Sequence, residues 1–147
     1  MITEERCGSN IATSFGGAST ERGGSWETEP FNPLGSATYR AKWGTHVSAP
    51  VTFRMPVRLT LSHFQRGRHR VVVFANANLN RRPVELQRLA SGRWVRVRRA
   101  RLEPSGGAFI FNVWFTVRTK GLRLRVVVPA ASAAPCHDPA ASETFKS

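Results

Sequence analysis

Between residues 83 and 99 the chain runs Pro-Val-Glu-Leu-Gln-Arg-Leu-Ala-Ser-Gly-Arg-Trp-Val-Arg-Val-Arg-Arg, with apolar and polar positions alternating on either side of a short polar break. Val84, Leu86 and Arg88 fall on one side of the first run, and Glu85, Gln87 and Leu89 on the other. After Ala90-Ser91-Gly92, Trp94 and Arg96 share a face, and Val95 and Val97 share the opposite one. Successive strand side chains point to opposite faces, so alternation broken by a Gly-containing turn predicts a β-hairpin.

The same pattern recurs along the chain. Residues 37–43 place Tyr39, Ala41 and Trp43 on one face and Arg40 and Lys42 on the other, and Gly44-Thr45 turns into a strand over 48–55 carrying Val51, Phe53 and Met55 on one face. Pro56 marks a boundary. Val57, Leu59 and Leu61 line one face of the next strand, Gln65-Arg66-Gly67-Arg68 is a turn, and 70–75 reads as a buried strand before a polar loop over 76–82. Pro104-Ser105-Gly106-Gly107 turns into a strand over 108–113, and Lys120-Gly121 turns into a strong strand over 122–128. An Ala/Pro/Ser loop covers 129–141 and a short segment over 142–146 closes the chain. Residues 1–36 are polar, punctuated by Gly16-Gly17 and Gly23-Gly24, with Trp26 as a nearly isolated anchor and a loop at Pro30, Asn32, Pro33 and Gly35. Residues 1–20 are the stretch least expected to be ordered. No helix of useful length is predicted. Short strands at regular spacing with Gly/Pro turns predict an all-β antiparallel sandwich.

Two halves overlay. Gly23-Gly24-Ser25-Trp26 matches Gly106-Gly107-Ala108-Phe109, and Tyr39-Arg40-Ala41-Lys42-Trp43 matches Leu122-Arg123-Leu124-Arg125-Val126, both 83 residues on. Each half then reaches a Ser-led strand, Ser48-Ala49-Pro50-Val51 and Ser142-Glu143-Thr144-Phe145, where the offset widens to 94. The expected organisation is a partial module over 1–55, represented by its C-terminal strands, and a near-complete one over 56–147. The partial module lacks the strands that should cover it, so it should be marginal or lean on a neighbour.

Charge changes the picture by being uneven. The chain carries a net +13, yet residues 1–30 hold five glutamates against Arg6 and Arg22, which leaves +16 on the remainder; nineteen of the 22 basic residues are Arg. Guanidinium groups bind phosphates and carboxylates in two-pronged fashion. Arg alternating with apolar residues is also what a half-buried strand produces with no ligand at all. The strongest candidate is the basic run Arg93, Trp94, Arg96, Arg98, Arg99 and Arg101, together with Arg123 and Arg125. An aromatic among arginines can stack a ring and neutralise anionic groups. With Trp94 outward, Arg96 and Arg98 are expected to share its face and Val95 and Val97 to face the core.

Other chemistry is sparse. Cys7 and Cys136 stand far apart without CxxC or zinc spacing, and two free thiols, or pairing with a cysteine outside this stretch, are expected rather than a bridge closing nearly the whole chain. His46, His63, His69 and His137 have no metal-ligand spacing, and Cys136-His137-Asp138 is the one cluster of ligand types. No GxSxG elbow, P-loop or dinucleotide fingerprint occurs, and Glu85, Glu103 and Glu143 lie on separate elements. Neither catalysis, a metal nor a cofactor is expected. The opening residues have no signal-peptide features, no stretch reaches the length of a membrane span, and the expectation is a piece of a longer chain.

The residues Val84-Glu85-Leu86-Gln87-Arg88, Gly92-Arg93-Trp94-Val95-Arg96-Val97, Gly107-Ala108-Phe109-Ile110-Phe111 and 122–129, with the Ser-led final strand, resemble Ig-like or fibronectin type III-like tandem modules of secreted and envelope proteins of bacteria, especially actinobacteria. In the first half Gly24-Ser25-Trp26, residues 38–44 and Ser48-Ala49-Pro50-Val51 carry the same resemblance. It implies an Ig-like β-sandwich, an extracellular or cell-envelope location, and a spacer or binding role beside neighbouring domains. The partner expected is an anionic polymer, without membrane insertion. The alternative is a basic β-sheet protein that binds nucleic acid through release of counterions.

Overall fold

The polar break at Ser91-Gly92 does what its composition asks. In the computed structural model both residues have positive φ, 48° and 76°, the signature of a two-residue turn whose twist matches its flanking strands. The structure describes residues 1–8, 12–15, 19–23, 25–27, 35–64 and 67–147. The turns read at Gly16-Gly17 and Gln65-Arg66, Gly24, and the loop residues Pro30, Asn32 and Pro33 lie outside the described residues, as does the side chain of Trp26.

The chain divides into two compact units, Met1–Met55 and Pro56–Ser147. The first holds β1 (Ile2–Arg6), β2 (Ala12–Phe15), β3 (Ser19–Thr20), β4 (Trp26–Glu27), β5 (Ala37–Trp43), β6 (His46–Val47) and β7 (Val51–Phe53), and β8 (Met55–Pro56) follows. The second holds β9 (Arg58–Phe64), β10 (Arg68–Phe74), β11 (Pro83–Ala90), β12 (Arg93–Arg101), β13 (Glu103–Pro104), β14 (Ile110–Thr116), β15 (Arg123–Val128), the one-turn helix α1 (Ala130–Ala133), β16 (His137–Asp138), β17 (Ala140–Ala141) and β18 (Phe145–Lys146). The protein is an all-β, sandwich-like fold of antiparallel sheets.

In the second unit one sheet runs β13-β14-β10-β9 and the other β12-β11-β15-β17, with β18 also on β15. Alternation buries one face of each. Val71 and Val73 of β10 and Phe111, Val113 and Phe115 of β14 meet Val84 and Leu86 of β11 and Leu124, Val126 and Val128 of β15 in a single apolar core. Burying each such side chain contributes about 1.5–3 kcal/mol. Leu79 and Leu102, from connecting segments, close the core. Gly67 lies at φ +67°, and a Cβ there would collide with the Val117 carbonyl oxygen, so no other residue fits without movement.

In the first unit the sheet runs β2-β1-β5-β6, with β7 also paired to β5. The polar composition of the opening residues hid β1, which is a central strand. Ile2 and Glu4 are buried on one face, and Glu4 is tolerated because the Tyr39 hydroxyl donates to its carboxylate at 3.2 Å. The strand expected over 48–55 is broken, since β7 covers only Val51–Phe53.

The two units repeat one register. Tyr39↔Val51 and Thr38↔Thr52 recur as Leu124↔Phe145 and Arg123↔Lys146, an offset of 85 on the first strand and 94 on the second. Lys42↔Val47 and Trp43↔His46 recur as Val127↔Ala141 and Val128↔Ala140 at the same offsets. On the other side, Ile2↔Ala41 recurs as Leu86↔Val126. The kink in the final strand repeats atom for atom. The Ser48 N–H donates to the Ala41 carbonyl, the Ala41 N–H to Ser48 Oγ at 3.0 Å, and Ser48 Oγ to the Ala49 carbonyl. Ser142 makes the same three bonds with Val126 and Glu143. The offset of 83 read for Tyr39–Trp43 is therefore corrected to 85. A shift of two keeps every side chain on its face, which is why the pattern alone could not detect it.

Two further expectations fail. Neither cysteine is a free thiol, and Cys7 and Cys136 are each disulfide-bonded. Val95 and Val97 are both exposed: Val95 keeps the inner side of the sheet opposite Arg88 but lies on an edge strand, and Val97 is the extra residue of a β-bulge.

Candidate polyanion-binding face

A β-bulge decides which arginines meet. On β11 and β12, Leu86 pairs with Arg98 but Gln87 pairs with Arg96, so Val97 is the extra residue. A bulge reverses the alternation beyond it. Trp94, Arg96, Arg99 and Arg101 pair with Leu89, Gln87, Glu85 and Pro83 and fall on the outer face of the sheet. Arg93 and Arg98 pair with Ala90 and Leu86 and fall on the opposite face. The expectation that Arg98 accompanies Arg96 and Trp94 is thus corrected. β12 is the sheet's edge strand, and both Arg93 and Arg98 reach water past the rim of the core.

β15 brings Arg125 and Arg123 to the outer face, opposite Gln87 and Lys146 respectively. The Arg125 guanidinium lies 4.3 Å from the centre of the Trp94 ring. That stack crosses from β15 to β12 over β11, and the indole is half-buried. A polar ladder spans all three strands. Arg125 Nε donates to Gln87 Oε1 at 3.0 Å, Gln87 Nε2 donates to Glu85 Oε2 at 3.1 Å, and Glu85 Oε1 accepts from Arg96 at 3.1 Å and from Arg99 at 3.4 Å. Burial raises the Glu85 pKa, and the hydrogen bonds from Arg96, Gln87 and Arg99 more than offset it, so the carboxyl sits below its ordinary value. Glu85 is the one acidic side chain that β11, β12, β15 and β18 place on this face, against Arg96, Arg99, Arg101, Arg123, Arg125 and Lys146.

Six of the eight predicted residues therefore share a face: Trp94, Arg96, Arg99, Arg101, Arg123 and Arg125. Sequence reasoning missed Glu85 and Gln87 as the spacers of the array, although both lie in the hairpin with outward parity. It also missed Lys146, whose neighbour Arg123 is fixed only by pairing.

The opposite sheet carries an aromatic and cationic cluster that sequence reasoning did not single out. Trp114 packs on Phe64 with ring centres 5.0 Å apart, and Arg68 lies 4.8 Å from the indole centre. Elsewhere, His63 and His69 are cross-strand partners with Nδ1 atoms 3.0 Å apart, beside a groove of about 460 Å³ between β9 and the 142–145 segment. Burial, and then the neighbouring His63, lower the pKa of His69. Spacing along the chain could not find this pair, since the ladder alone brings its members together. Among the described residues no three potential ligands converge on a metal position, and no helix is long and apolar enough to cross a membrane.

Comparison with protein-family models, with curated proteins and with solved structures gave no match. The function is therefore argued from the chemistry of these faces.

Proposed function

We propose that the chain is a non-catalytic Ig-like, fibronectin type III-like module of a secreted or cell-envelope protein, and that the outer face of β12-β11-β15 binds anionic polymers. The observation that carries the binding role is the Trp94–Arg125 stack, set in a face where six cations meet one carboxylate. A half-buried indole stacked with a guanidinium supplies an aromatic group for a sugar or base. The flanking cations, held at strand spacing by Glu85 and Gln87, match a chain of regularly spaced anionic groups.

The strand order supports the architectural part. Sheets β9-β10-β14 and β12-β11-β15-β17 follow the A-B-E and C′-C-F-G arrangement of such modules. Disulfide-bonded cysteines support an oxidising compartment, where such bonds persist.

The test compares binding of the whole chain to polygalacturonate and to single-stranded DNA across a salt series. Trp94→Ala with Arg125→Ser is expected to weaken polysaccharide binding about tenfold, or about 1.4 kcal/mol, while Arg93→Ser on the other face changes it little. Equal losses from both variants would reject the face. Stronger binding to DNA than to polysaccharide would favour the alternative, a basic β-sheet protein that binds nucleic acid.

A further inference from the structure

The second unit has two outer faces, one on each sheet. On the β13-β14-β10-β9 sheet, His69, Val71, Val113 and Phe115 are buried on the inner side, so alternation puts Phe64, Arg68, Arg70 and Trp114 on the outer one. The register makes these four neighbours, with Phe64 opposite Arg68 and Arg70 opposite Trp114. They form one contacting patch. The Phe64 and Trp114 ring centres are 5.0 Å apart, the Arg68 guanidinium lies over the indole 4.8 Å from its centre, and that of Arg70 lies 5.8 Å from it. The patch is nevertheless open to solvent, since Phe64 and Trp114 are 48% and 40% exposed and Arg68 is exposed as well. Aromatic rings left in water side by side mark an interaction surface.

Charge says which kind of partner fits. Among the described residues neither Arg68 nor Arg70 takes part in a salt bridge. Arg70 Nη2 donates to Ser105 Oγ at 2.8 Å, and its buried Nε has no partner. Glu103, the acidic residue that pairing brings to this face, stands opposite Asn112 on the edge strand β13. On the other sheet, by contrast, Arg96 and Arg99 share Glu85, and Arg125 is bonded to Gln87. A guanidinium held over an indole keeps N–H donors that the ring does not use. Arg68 can therefore take a carboxylate while the two rings contact the apolar side of the sugar that carries it.

We propose that Phe64, Arg68, Arg70 and Trp114 form a second site for acidic sugars, separate from the Trp94–Arg125 face. The choice of an acidic polysaccharide rests on the function proposed for that first face, whereas the patch and its unpaired cations do not. The two sheets meet through their inner faces, so the two sites stand on opposite sides of one unit. A polymer strand lying on one is out of reach of the other. The module then joins two strands of an anionic polysaccharide instead of coating one.

The test is isothermal titration of the whole chain with an oligogalacturonide too short to reach both faces. The unaltered chain is expected to take two oligomers. Arg68→Ser with Trp114→Leu should remove one of them, and Trp94→Ala with Arg125→Ser the other. Arg68→Ser alone, at an exposed side chain, leaves the indole in place and should weaken one site about tenfold. Arg58→Ser, at the far end of β9 on the same face, should change affinity less than about twofold. Equal losses from Arg68→Ser and Arg58→Ser, or two oligomers still bound with full affinity after Arg68→Ser with Trp114→Leu, would overturn the proposal. A single oligomer on the unaltered chain, lost with Trp94→Ala and Arg125→Ser, would also overturn it and leave the first face standing. Binding that falls with the Arg68 variants but not with Trp94→Ala and Arg125→Ser would uphold this patch and reject the first face.

Discussion

The sheet of the first unit and the β12-β11-β15-β17 sheet of the second are built to one plan and finished differently. Their ladders superpose pair for pair, down to a serine whose side-chain oxygen stands in for a backbone acceptor at Ala41 and at Val126. Inner and outer faces have then diverged. The inner face of the second is sealed under another sheet, whereas that of the first leaves Trp43, Val51 and Phe53 in water. The outer face of the second carries the basic array. On the first, Arg40 occupies the position of Arg125 but is paired with Glu5 at 3.4 Å, and Thr3 replaces Gln87. Register is thus a property of a few turns and kinks, while cover and charge are set independently on each face.

That difference is most exposed by truncating matched residues. Phe145→Ala should destabilise the second unit by about 3–5 kcal/mol, since it removes a buried aromatic and leaves a cavity. Val51→Ala, at the same register, should change stability by no more than about 0.5 kcal/mol. Urea unfolding of both variants measures the contrast, and equal costs would mean that the two faces are equally covered. The kink serines should differ less. Ser142→Ala strands the Val126 N–H inside a covered sheet and should cost about 1–3 kcal/mol, and Ser48→Ala should cost less because water can reach its partner.

The units should also fail at opposite ends of the pH scale. His69 has a lowered pKa because it is buried and faces His63. The folded state therefore favours its neutral form. Its stability contribution is complete above the ordinary histidine value near 6.5 and is lost as pH falls from there through the lowered folded value. Tyr39 is pushed up to about 12 by burial, and then by the charge and hydrogen bond of Glu4. Its contribution is complete below the ordinary tyrosine value of about 10 and is lost as pH rises through the folded value. Peptide-resolved hydrogen exchange at the two extremes should show acid loosening 58–74 first and alkali loosening 2–6 and 37–43 first. His69→Gln should remove the acid arm and leave the alkaline one.

A small stability effect is expected at Glu85. Glu85→Gln breaks exposed ion pairs to Arg96 and Arg99 and should cost below about 1 kcal/mol. The same change frees two guanidinium groups, so affinity for an anionic polymer should rise. Unchanged or weaker binding would mean that Glu85 positions these arginines more than it competes for them.

How far the sequence led depended on whether a feature was local. Alternation alone placed Val84 and Leu86 inward and Glu85 and Gln87 outward, and Ser91-Gly92 was readable as the hairpin turn because glycine tolerates positive φ. The all-β class followed from many such segments. The bulge at Val97 was not legible, since nothing in Arg-Val-Arg marks which residue is extra, and Arg98 was assigned to the wrong face as a result. The strand at Ile2–Arg6 was masked by charges that its partners satisfy. His63 with His69 is a product of the β9–β10 register, and Arg125 with Trp94 and Arg123 with Lys146 are products of packing and pairing between strands farther apart in the chain.

The central claim, that one register is covered in one unit and open in the other, is tested most directly at two backbone amides. The Ala41 and Val126 N–H groups donate to matching serine oxygens, so intrinsic chemistry and hydrogen bonding are held nearly constant. Native-state hydrogen exchange followed by NMR should find Val126 exchanging at least about tenfold more slowly than Ala41, because its sheet opens only with the core. Equal protection at the two amides, or slower exchange at Ala41, would contradict the account.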